Sequence, residues 1–126
     1  MAGSDLGSAR CRRVRTNGLP EEEGHMTEAD DGPLFLVVTI KPRLDKLAEA
    51  EAQLQAMRAA TMQEEGNVFM HLVHSQDDPN TWVMLEQFKS RAAWDEHMET
   101  KHNKEGNEIL KDLLAEPSEL RLYQAK

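Results

Sequence analysis

Asn67–His74 reads NVFMHLVH, positions 75–80 read SQDDPN, and Thr81–Phe88 reads TWVMLEQF. Two runs of strand length, rich in apolar and β-branched residues, flank a segment made almost entirely of turn formers. That pattern predicts a β-hairpin. The first run suits a strand buried on both faces or lying at a subunit interface. Upstream, Leu34–Ile40 reads LFLVVTI, another apolar strand-length run. Lys41-Pro42 ends it, because proline cannot donate to a ladder and restricts the residue before it. From Leu44 to about Gln63, Leu44, Leu47, Leu54, Met57 and Thr61 or Met62 fall on one helical stripe, amid many alanines. Gly66 supplies the stop signal.

Downstream of the hairpin, Ser90 is placed to cap a short helix from Arg91 to about Thr100. A second helix is expected from about Asn103 to Leu114, with Ile109, Leu110, Leu113 and Leu114 on one stripe. Pro117 breaks it, and Glu119 to Tyr123 alternates polar and apolar like a half-exposed strand. The order β-α-β-β-α-α-β is the split βαβ pattern: an α+β, ferredoxin-like fold with an antiparallel four-stranded sheet. Helices on one face leave the other uncovered. Phe69, His71, Val73, Trp82 and Met84 suggest that neither face is fully polar, so a homodimer packing sheet on sheet is expected.

The first 32 of the 126 residues differ in character. They hold a basic cluster, Arg10 to Arg15, and an acidic one, Glu21 to Glu23, with scattered apolar residues and no periodicity. Such a stretch reads as a disordered tail preceding a domain at 33–126. A basic phosphate-binding arm is disfavoured, since four arginines face seven acidic residues. No secretory h-region is visible, which leaves a cytoplasmic protein as the expectation, and Met1 or Met26 could be the start. Cys11 is alone, so no disulfide can form within the chain. The net charge of -8 gives no footprint for nucleic acid or anionic lipid, and no apolar run approaches a membrane span.

Residues 34–124 resemble the antibiotic biosynthesis monooxygenase domain, within the dimeric α+β barrel superfamily. The resemblance rests on element order and three local patterns: Glu65-Gly66 leading into the second strand; Asp78-Pro79-Asn80 before a strand ending Leu85-Glu86-Gln87-Phe88-Lys89-Ser90; and Ala92-Ala93-Trp94-Asp95-Glu96-His97, with His102 five positions on. The small quinol-monooxygenase-like members are the most similar. The resemblance implies a homodimeric barrel with a pocket between sheet and helices in each subunit. It also implies oxidation of phenolic, quinol or enolisable compounds by O₂ without metal, flavin or haem. The second strand carries Met70 where the family commonly has Tyr, and Asn67 where a small residue or Cys is common. The first strand lacks the Asn of the haem-degrading branch.

Histidine titrates in the physiological range and is the first candidate for proton transfer. His97 lies one turn from Trp94, and helix face and family pattern place it toward the pocket. Glu86, between Trp82 and Phe88 in an apolar strand, is expected to hydrogen-bond His97 as its orienter or to tie helix to sheet. His97 and Glu86 are therefore the expected catalytic pair. Trp82, Trp94, Met70, His71 and His102 are the expected contacts to a small apolar or aromatic substrate. No cofactor and no metal site is expected: His97 and His102 straddle a helix break, His71 and His74 face apart, and the domain lacks cysteine. A monooxygenase is the leading reading. A non-catalytic dimeric ligand-binding or stress-related module of the same fold is the alternative.

Overall fold

The computed structural model describes residues 32–126; the expectations for the tail, including Arg10 to Arg15, Cys11 and Met26, lie outside the described residues. Strand β1 is Leu34–Ile40. A 3-10 turn at Leu44–Lys46 leads into α1, Leu47–Thr61. Strands β2, Asn67–His74, and β3, Trp82–Phe88, follow. Helices α2, Arg91–Met98, and α3, Lys101–Lys111, precede β4, Glu119–Gln124. The sheet order is β2-β3-β1-β4 and every pairing is antiparallel. This is the ferredoxin-like α+β arrangement the element order predicts.

The hairpin turn is held by side chains chosen for turns. Ser75 Oγ accepts from the backbone N–H groups of Asp77 and Asp78, and the Thr81 hydroxyl donates to Asp78. Ser90 caps α2 as expected, accepting from the Ala93 N–H at 3.0 Å. Leu44 departs from expectation: it lies in the 3-10 turn rather than on the helix stripe and is 71% exposed. Ile109 likewise faces outward, and only Leu110 of its neighbours is buried.

The period of two along each strand divides the sheet. One face packs Ile40, Met70 and Met84 against Leu54 of α1 and Leu110 of α3, and a second cluster joins Leu34, Leu36 and Phe88 to Ala93 and Trp94 of α2. The registers Phe35↔Gln87, Val37↔Leu85 and His71↔Leu85 put Phe35, Val37, Leu85 and His71 on the opposite face, away from the helices. A bulge at Val68, between Asn67 and Phe69, lets β2 enter the sheet directly after the Gly66 turn.

A candidate active site beside a Glu–His–His cluster

The sheet and the three helices line a partly open cavity of about 200 Å³. Its walls are mostly apolar, with Leu36, Leu54, Met57, Met70 and Met84 among them. Its polar contributors include Glu86, His97, His102, Asn103 and Asn107, and Trp94 supplies an aromatic wall. The volume lies below the usual range for drug-sized ligands, so the occupant it fits is small.

His97 is carried by α2 and is 5% exposed, with its ring centroid 4.9 Å from that of Phe88. Its carboxylate partner is not Glu86. Nδ1 of His97 donates to the two oxygens of Glu64, at 3.0 and 3.1 Å. Nε2 of His102 donates to the same carboxylate. Glu64 lies in the turn between α1 and β2, where its own carbonyl accepts from the Asn67 N–H. Thr100 breaks the helix between the two histidines. It caps α3, and its hydroxyl donates to the His97 carbonyl at 2.7 Å. That break redirects the chain so that residues five apart bring their rings to 6.2 Å between centroids. The helix break between His97 and His102, expected to disfavour a shared site, instead brings the two rings together, and Glu64 is the residue that sequence reasoning missed. Its signal was faint: a carboxylate two residues before the glycine that closes a turn.

Glu86 is 6% exposed, and its carboxyl makes no hydrogen bond among the described residues. Burial, and secondarily the nearby Glu64 charge, push its carboxyl from an ordinary 4.5 up to about 7. The expected Glu86–His97 hydrogen bond is absent, though both side chains line the one cavity. Met70, Trp94 and His102 also line it. His71 does not: it follows Met70, so the alternation turns it to the outer face, where it stacks on Phe69 at 5.2 Å. Trp82 lies outside the cavity wall too. It packs beside the core, and its indole N–H donates to the Pro79 carbonyl at 3.0 Å.

The sequence profile described as "Antibiotic biosynthesis monooxygenase" matches residues 33–108. The chain belongs to that family. An uncharacterised protein of Synechocystis is 30% identical over 94 residues, covering 75% of this chain and 64% of its own. The Bacillus subtilis protein YcnE, whose naming as a monooxygenase is itself provisional, is 40% identical over 67 residues, covering 52% of this chain and 66% of its own. This family member therefore spans just under two thirds of the length of those relatives. The solved structure of Rv0793 from Mycobacterium tuberculosis superposes with a TM-score of 0.72 at 27% identity, covering 75% of this chain and 96% of that one. None of the described helices is long and apolar enough to cross a membrane.

Proposed function

We propose that this family member is a cofactor-independent monooxygenase of the quinol-monooxygenase-like type, working as a cytoplasmic homodimer on a small phenolic, quinol or enolisable compound. The observation that carries the reading is that His97 and Glu86 line one small apolar cavity while Glu64 grips His97 from behind. A carboxylate on Nδ1 fixes the ring proton there and leaves Nε2 as the acceptor, the logic by which a carboxylate orients a histidine base. Glu64 is thus a positioning residue. Glu86, with a pKa of about 7, has a large neutral fraction at physiological pH and can donate to the substrate oxygen as negative charge builds on it.

For a CH₂ beside a carbonyl or phenol the sequence balances. His97 Nε2 removes one C–H proton, giving an enolate. The enolate carbon passes one electron to O₂, and the resulting radical pair combines into a C–O bond. The peroxide takes up the proton, then loses the second C–H proton and hydroxide as water. The CH₂ becomes C=O, and one O₂ yields one carbonyl and one H₂O. The apolar walls exclude bulk water from the carbanion.

The test is O₂ uptake across a panel of small quinols and enolisable ketones. His97→Ala is expected to lower turnover by ~10²–10⁴, the usual worth of a general base. Glu64→Gln should lower kcat with little change in KM. Turnover that falls only in step with the folded fraction would overturn the reading. A second reading, ligand binding without turnover, is favoured by the closed pairing of Glu64 with two histidines, which also serves as a structural tie between α2 and the α1–β2 turn. Saturable ligand binding with no O₂ uptake is its signature.

A further inference from the structure

Glu64, His97 and His102 come from three separate segments and gather one potential ligand atom each into a single cluster. The carboxylate oxygen, His97 Nδ1 and His102 Nε2 all lie within 4.8 Å of one another. We propose that these three side chains form a binding site for a divalent transition-metal ion, of which Zn²⁺ and Co²⁺ are representative. Binding at this site does not depend on the proposed oxidation.

Ligand atoms sharing one tetrahedral zinc, at bond lengths of ~2.0–2.1 Å, stand roughly 3.3–3.4 Å apart. His97 Nδ1 and Glu64 Oε2 are 3.0 Å apart and His102 Nε2 lies closer still to that oxygen, so the cluster opens by less than about 1 Å, displacing its two shared protons, to admit the ion. Two imidazoles and one carboxylate suit zinc, cobalt or ferrous iron, whereas magnesium and calcium require all-oxygen surroundings. The site is also rigidly founded. Gly66 abuts Ala93 and so fixes the Glu64 turn against α2, and the Thr100 cap sets the angle between the helices bearing the two histidines. Exposure is graded across it, the side chains being 6% exposed at His97, 18% at Glu64 and 34% at His102. An ion could enter past His102, and three protein ligands leave a coordination position for water or a small ligand. A metal on Nδ1 of His97 moves the ring proton to Nε2. If the proposed base is correct, the metal-loaded protein loses that acceptor and is inhibited.

The experiment titrates Co²⁺ into chelator-treated full-length protein and follows its visible absorption, with Zn²⁺ as competitor and Mg²⁺ as control. One equivalent of Co²⁺ is expected, displaced by Zn²⁺ and not by Mg²⁺. His102→Gln and Glu64→Gln should weaken binding by at least ~10–100-fold, the loss that outer partners of metal ligands alone can cause. His74→Gln, at the exposed end of β2, should leave it unchanged. Circular dichroism establishes that each variant is folded. Nitrogen-15 spectra of the wild-type rings provide a variant-free check: Zn²⁺ should shift Nδ1 of one histidine and Nε2 of another. Equal affinity in folded His102→Gln and wild type, no absorption band, or ring nitrogens unmoved by Zn²⁺ would overturn the proposal.

Discussion

A Cβ placed on Gly66 would stand 2.6 Å from the Ala93 methyl carbon. The turn after α1 and the first turn of α2 are therefore in direct contact, and only glycine fits between them. This contact brings Glu64 within reach of His97, a residue 33 positions away. Gly66→Ala is expected to destabilise the fold by about 1–3 kcal/mol through overpacking, since the neighbour it meets belongs to helix α2 rather than to a flexible tip. Ala93→Gly in the same chain should recover part of that loss, less the ~1 kcal/mol that glycine costs within a helix. Urea denaturation of the two single variants and the double variant measures the coupling. Strict additivity would refute the contact.

Gly106 in α3 offers the contrast. A Cβ there would meet Met57 side-chain atoms at 2.8–2.9 Å, and a thioether chain can rotate away. Gly106→Ala also gains the ~1 kcal/mol by which alanine exceeds glycine in a helix. Stability is expected to stay within ~1 kcal/mol of wild type. Met57 lines the cavity, however, so its displacement should weaken binding of whatever small ligand the cavity takes. Unchanged ligand affinity alongside unchanged stability would show that Met57 swings away from the cavity instead.

Glu86 makes stability depend on pH in a definite direction. Its carboxyl titrates at about 7 in the folded chain and near 4.5 when exposed, so the folded state holds the proton more tightly. The stability this supplies is fully present below about 4.5, falls as pH rises toward 7 and is gone above it. The displacement corresponds to roughly 3 kcal/mol. Glu86→Gln cannot ionise and should be the more stable protein at pH 8, with the two converging near pH 4. Melting curves of both proteins across that range make the comparison. A constant difference at every pH would assign the effect to packing rather than ionisation.

The fold was legible because each strand carries its own terminators: Pro42 after the first, the 75–80 turn between the second and third, and Ser90 after the third. The burial of Glu86 and the capping role of Ser90 followed from the same local patterns. Glu64 was not legible. It sits beside Glu65 in a polar turn, and only the approach of Gly66 to Ala93, a contact between distant segments, selects one of the two carboxylates. The convergence of His97 and His102 was hidden for a related reason. Helical spacing describes residues on one axis, and the Thr100 cap gives these two different axes. His71 was misread because adjacent strand residues were both assigned to the cavity, which a period of two forbids.

Leu85 sits in the centre of the outer sheet face, opposite Val37 on one side and His71 on the other. Around it Phe35, Phe69, Val73, Val83 and Tyr123 extend an apolar surface that no described element covers, and Val73 and Tyr123 are 41% and 48% exposed. A face of this kind is the expected seat of a second copy. Light scattering should therefore give about 28.6 kDa, twice the 14.3 kDa chain. Leu85→Lys would set a charge at the middle of that interface in both copies, where an unpaired buried ammonium is strongly disfavoured. Leu85 is only half-buried in the single chain, so its replacement leaves the helix-side core untouched. The variant is expected to remain folded and run at 14.3 kDa. A wild-type monomer at micromolar concentration would remove the need for the sheet-to-sheet interface, and a variant that stays dimeric would move the interface to another surface.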